Sequence, residues 1–181
     1  MAGLDFSKIK AKLDAIPEQF ANKEAKVGWF DSAKYEDGTP VAYVALIQEK
    51  GAPAAGVPAR PFIQPTVDKK SHEWTKAIAD GAKAVLAGRS TADDVLSVVG
   101  AVAAGDIQKQ IASNAVEALS PTTVLLRKWR REGKVITGKT VGEAAAAVKA
   151  DPSLINGVNA DPLQDTGTLS DTITHQVGAP Q

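Results

Sequence analysis

Gly133-Lys134-Val135-Ile136-Thr137-Gly138-Lys139-Thr140 fits the G-x-x-x-x-G-K-[ST] pattern of a phosphate-binding P-loop, with Lys139 placed for phosphate and Thr140 for magnesium. That chemistry needs a buried strand ahead of the loop, and the residues before it, Arg127 to Glu132, are too charged for a central strand. No apolar run ending in Asp supplies a second magnesium ligand. A glycine-turned hairpin or a loop is therefore the preferred reading, with an NTPase using Lys139 and Thr140 as the alternative.

Asp165-Thr166-Gly167 is the triplet of aspartic proteases, which work through two aspartates sharing a proton. One copy is present, with Gln164 where an apolar residue is needed, so a turn with Gly167 at positive φ and Asp165 bonding nearby amides is expected. His72 and His175 are the only histidines, and neither has a second ligand-type residue at metal spacing. The dense basic cluster is Arg127, Lys128, Arg130, Arg131 and Lys134, with Trp129 available to stack on a base or an arginine. It suggests a DNA-binding module as a second alternative. Contacts with a neighbouring subunit are preferred, because Lys plus Arg equals Asp plus Glu and no overall field draws the chain to nucleic acid.

The elements that must position these groups are legible in part. Leu4, Ile9, Leu13 and Ile16 predict a short N-terminal amphipathic helix interrupted at Pro17. Ala25 to Asp31 reads as a strand, and Thr172 to Val177 alternates as a second strand able to pair with it. Val41 to Gln48 reads as a helix with Val41, Val44 or Ala45, and Gln48 on one stripe. Lys50 to Pro65, rich in proline, reads as a stiff extended loop.

Two long helices are expected next. One carries Val67, Trp74, Ile78, Ala82 and Val85 and closes at Gly88. The other opens on a Thr91/Asp94 capping box and carries Val95, Val99, Val102, Ile107, Ile111 and Leu119. Val141 to Ala150 has high helix propensity.

With 181 residues the chain suits one domain. Its apolar fraction of 44% leans on Ala and Val with only 5% aromatics, so the core is thin and association has stability to add. The absence of cysteine excludes disulfides, thiol catalysis and thiolate metal sites and fits synthesis in the cytoplasm. No apolar run reaches the roughly 18 residues of a membrane span, and charges interrupt the N-terminal stretch where a signal peptide would be apolar.

Val57-Pro58-Ala59-Arg60-Pro61-Phe62 resembles the I-P-A-R-P-F signature of phage neck and tail-completion proteins, the family of lambda tail protein Z. The helix VAYVALIQEK ending at Gly51 precedes it, and two long helices follow, the first with Trp74. Then come Pro121-Thr122-Thr123 with Arg127-Lys128, and an ending from Pro162-Leu163-Gln164-Asp165-Thr166-Gly167 to Ile173 that resembles P-L-x-D-T-G-x-L-x-x-S-I. Glu49-Lys50-Gly51 departs from the family's N-E-F-G, and about 129–161 is longer than the usual connection.

The resemblance implies a single domain over 1–181 of α+β class, a small antiparallel sheet packed on two long helices, with an inserted loop or hairpin at about 129–161. It implies a structural virion protein of the neck, made in the host cytoplasm, with no enzymatic role and no cofactor. The expected partners are further copies in a ring, preferably hexameric, portal or head-completion proteins, and tail terminator or tail-tube proteins. DNA would pass through the lumen with at most non-specific contact, and no membrane is involved. Candidate assembly residues are Pro58, Arg60, Pro61, Phe62, Arg127, Lys128, Trp129, Arg130, Arg131, Asp165 and Gly167. Pro58 and Pro61 pin the loop on either side of Arg60, and Phe62, the only bulky apolar group in the loop, is expected to be a buried anchor. Arg60 is expected to reach a carboxylate or carbonyl, preferably across to the next subunit.

Overall fold

The computed structural model of the chain describes residues 10, 11, 14, 17–113, 116 and 118–180. Leu4, Ile9, Leu13 and Ile16, the expected apolar face of an N-terminal helix, lie outside them.

Segments near opposite ends of the chain make the sheet. β1 (Glu24–Gly28) and β2 (Thr174–Gly178) pair antiparallel, with Val27 opposite His175. The expected pairing is present, but β1 stops before Trp29, whose ring turns into the core. The helices are α1 (Val41–Lys50), α2 (Ile63–Leu86), α3 (Ala92–Ala112), α4 (Pro121–Arg131), α5 (Gly138–Ala150) and the short α6 (Thr168–Asp171). The architecture is α+β: the sheet lies on α3, and α2 packs along α3.

The central helix α3 is opened by the expected capping box, in which Thr91 and Asp94 satisfy each other's backbone amides at 3.1 and 3.2 Å. It buries Val95, Leu96, Val99, Ala103, Ala104, Ile107 and Ile111, the last part of this face joining the core cluster described below. Val102, assigned to that stripe, is instead exposed, and Leu119 lies beyond the helix.

Small residues set how closely the layers approach. A Cβ on Gly81 of α2 would stand 2.4 Å from Val95, and one on Gly100 of α3 would stand 2.9 Å from His175 of β2. A core short of aromatic bulk thus gains contact by bringing backbones together, which recovers dispersion that large side chains would otherwise provide. The main cluster joins Val41 and Ala45 of α1, Phe62, Ile107 and Ile111 of α3, and Leu163, Leu169 and Ile173 from the C-terminal segment.

Two expectations need correction. On α1 the inward stripe is Val41, Ala45 and Glu49, one position on from Gln48, because Glu49 has a buried task described below. The segment from 129 to 161 is not a single loop or hairpin: irregular stretches at 134–137 and 156–161 flank a helix that includes the Val141–Ala150 stretch expected to be helical. It holds the end of α4, then α5 and a 3-10 turn (Pro152–Ile155), each capped by its own side chains: Ser120 for α4, Thr137 for α5 and Asp151 for the turn. The glycines Gly133 and Gly138 suggested a hairpin or loop; the chain is irregular over 134–137, and there Thr137 and Thr140 cap each other and open a helix.

Candidate functional site

The signature loop folds back on α1. Gly51 takes φ 74, where a Cβ would meet the Ala59 amide nitrogen at 2.8 Å, so only glycine lets the strand of loop return beside the helix. The Arg60 amide then donates to the Gln48 carbonyl at 2.7 Å. Pro58 and Pro61 face solvent and hold the backbone, and between and after them Arg60 (6% exposed) and Phe62 (0%) turn inward.

Phe62 is the expected anchor, edge-on to Trp29 with ring centroids 5.9 Å apart at 89°. Arg60 departs from expectation. It is buried within its own chain, with its charge close enough to Arg127 to act on that guanidinium, and a reach across to a neighbour would have to draw it out of that burial.

Glu49 was not singled out in the sequence. Its Oε2 accepts from the amides of Phe62 (2.7 Å) and Ile63 (2.9 Å), and its Oε1 from that of Gln64 (3.0 Å). A carboxylate from α1 thereby caps α2, meeting both the orphan donors and the positive end of the helix dipole. The available signal was negative: α2 starts after Phe62 with no acidic residue in its first turn and no side-chain cap of its own.

From the other side α4 grips the C-terminal segment. Arg127 donates from Nη1 to the Asp161 carbonyl (2.7 Å) and from Nη2 to the Pro162 carbonyl (3.1 Å), and its Nε lies 3.5 Å from Asp165 Oδ2. Arg131 donates to Asp165 Oδ1 at 2.7 Å and to its carbonyl at 3.2 Å. Burial pushes the Arg127 guanidinium below its ordinary pKa; Asp165 opposes that shift, while the Arg131 and Arg60 charges add to it.

Gly167 takes φ 79 as expected and turns the chain into α6. Asp165, expected to bond amides, is held by the two arginines instead. The Leu169 carbonyl then accepts from Trp29 Nε1 at 2.9 Å, which ties the C-terminal segment back to the end of β1. Between these segments lies a cavity of about 280 Å³ walled by Tyr35, Gln48, Arg127, Arg130, Leu163 and Asp165. Burial, and after it the Asp165 and Asp37 charges, raises the pKa of the Tyr35 phenol.

The remaining basic residues separate. Lys128 donates to the Leu154 carbonyl at 3.3 Å and steadies the 3-10 turn. Trp129 is half-buried, with Lys134 Nζ 3.5 Å from its ring centre. Arg130 is exposed, with Asp37 4.0 Å away.

These placements bear on the chemistry. The P-loop-like segment is preceded by helix α4 where a strand is required, the Thr140 hydroxyl is spent on capping α5, and Lys139 projects into solvent. Asp165 is neutralised by two guanidinium groups, the opposite of the carboxylate pair that activates water. Arg127, Lys128 and Arg131 are committed within the chain, which removes most of the cluster proposed for DNA. His175 Nε2 lies 2.9 Å from Ser97 Oγ at the sheet–α3 interface, and His72 is exposed on α2. Among the described residues no three metal-ligand side chains gather, and no helix is long and apolar enough to cross a membrane. No family model, no curated protein and no solved structure matches the chain.

Proposed function

We propose that the chain is a structural subunit of the bacteriophage neck that assembles into a ring joining the head to the tail and lets DNA pass. The observation that carries this reading is the convergence of the segments behind the family resemblance. Phe62 of the Val57–Phe62 loop shares one buried cluster with Leu163, Leu169 and Ile173 of the ending, and Arg127 donates to the Pro162 carbonyl at the start of that ending. Chance matches to two motifs have no reason to pack on each other. Residues that jointly hold a fold do, and this supports the resemblance as one to a whole domain.

The nucleotide-binding alternative loses support from the helix ahead of Gly133, and the DNA-binding alternative from the internal commitment of Arg127, Lys128 and Arg131. The reading is tested by deleting the gene from the phage that encodes it and examining lysates by electron microscopy. Filled heads and finished tails should accumulate unjoined, and purified chain should restore joining and show rings in negative stain. Particles that join normally without the chain would overturn the reading.

A further inference from the structure

The helix α3 buries one side and leaves the other uncovered. Along the uncovered side run Asp94, Val98, Ala101, Val102, Gly105 and Lys109, at the three- and four-residue steps that keep side chains on one helical face. Val98 is 64% exposed and Val102 51%, one turn apart and midway between the two charges. Adjacent apolar groups left in water mark a surface that gains by being covered. Gly105 adds a second observation. A Cβ there would meet nothing within 4 Å, whereas one on Gly81 or Gly100 would strike a neighbour, so no atom of the chain requires glycine at 105. Glycine inside a helix is less favourable than alanine, and the usual compensation is close approach by something to the bare backbone.

We propose that two copies of the chain pair through this face of α3, antiparallel, about a two-fold axis passing between Ala101 and Val102. That register sets Val98 over Gly105 of the partner subunit, Ala101 against Val102 of the partner subunit and Asp94 beside Lys109 of the partner subunit. The two-fold axis repeats each contact in reverse, as a self-complementary patch requires. The valine enters the space left by the missing Cβ and lets the two backbones approach. Lys109, with its side chain 82% exposed and 3.5 Å from Asp106, gains a second carboxylate at each end of the pair. A parallel pairing would instead set Asp94 on Asp94 and Lys109 on Lys109. At matching steps a second copy supplies the gap, the apolar cover and the opposite charge that each half of the face lacks. The contact is independent of the neck reading, because a two-fold pair closes on itself and the head-to-tail contacts of a ring use other surface. The paired stretch spans about 22 Å of one helix, a small interface, so the pair should be weak, with a dissociation constant on the order of micromolar.

The full chain has no cysteine, so single cysteines report the register, and they do so whether or not rings also form. Ala101→Cys, next to the axis, should yield a disulfide-linked dimer on mild oxidation. Lys109→Cys should not, because its two copies would stand about 22 Å apart along the helices. Gly105→Leu fills the gap while its Cβ meets no atom of its own chain, so its thermal midpoint at low concentration should equal or exceed that of the unaltered chain. In the Ala101→Cys background it should lower the yield of linked dimer roughly tenfold, and sedimentation should show the same weakening. Three results would overturn the proposal: no Ala101→Cys dimer at about 500 μM, dimers that Gly105→Leu leaves unchanged, or Lys109→Cys dimers as abundant as those through Ala101→Cys. Loss of particle joining by Gly105→Leu in a chain that forms no linked dimer would give the face to a different protein and overturn it as well. The neck reading fails separately, by normal joining without the chain.

Discussion

Phe62→Ala measures how much of the fold hangs on the signature loop. The ring is wholly buried, so truncation removes its transfer free energy and leaves a cavity, a combination that costs about 3 to 5 kcal/mol for an aromatic core residue. The edge-on contact with Trp29 contributes about 0.5 to 1.5 kcal/mol beyond burial and places the expectation in the upper half of that range, near 4 kcal/mol. A domain holds roughly 5 to 15 kcal/mol in all, so the variant should stay folded at room temperature with little margin. At about 2 to 4 °C per kcal/mol for a chain of this size, the thermal midpoint should drop by about 8 to 16 °C. Urea unfolding followed by tryptophan fluorescence at low protein concentration would read the loss, with the exposed Pro61→Ala as a control costing less than about 1 kcal/mol. A loss below about 1 kcal/mol for Phe62→Ala would refute the anchor, because it would mean the surrounding side chains close over the site without it.

Gly100→Ala should cost about 1 to 3 kcal/mol, since its methyl group has to displace His175 and lift β2 off α3; an unchanged urea midpoint would contradict the close approach. Acid sensitivity follows from Asp94, whose carboxyl is held below its ordinary 3.8 by the Thr91 hydroxyl and then by the Thr91 amide. A depressed carboxyl adds stability above the unfolded pKa that is lost as pH falls through the folded value, so the midpoint should decline below about pH 4. Thr91→Ala should flatten that decline in a pH series, and an identical acid limb would argue against the coupling. Lys139→Ala should leave stability within about 0.5 kcal/mol and phage yield unchanged, whereas loss of both yield and a measurable ATPase would revive the P-loop reading.

The parts of the fold legible in the sequence are those specified locally. The capping box at Thr91, the glycine after α2 and the alternation of β2 all act within a few residues, and all are present. What escaped is specified by groups distant in sequence. Glu49 reads as a surface charge at the end of α1, and its role appears only once the loop has brought three amides of another helix to it. The burial of Arg60 depends on the same closure. Charge density concealed α4, because Arg127 and Arg131 spend their charge on the C-terminal segment and the helix needs only Val124 and Leu125 for its apolar contact. The anchor role of Phe62 was legible because Pro58 and Pro61 restrict the loop backbone just before it whatever the tertiary surroundings, and Phe62 is the only bulky apolar group the loop offers.

The two ends of α2 are fastened differently, and the helix has mechanical consequences for that reason. Near its start three consecutive amides are locked to Glu49, and toward its end Gly81 receives the side chain of Val95 with no room for slip. At 1.5 Å per residue these fixed points stand about 27 Å apart. A rod clamped at two separated points resists both pivoting and sliding, so a push on the α1 end travels along the axis to the far end without much rotation in between. Weakening either clamp converts the strut into a lever, and Glu49→Gln and Gly81→Ala should therefore loosen the subunit in different ways even where they cost similar stability.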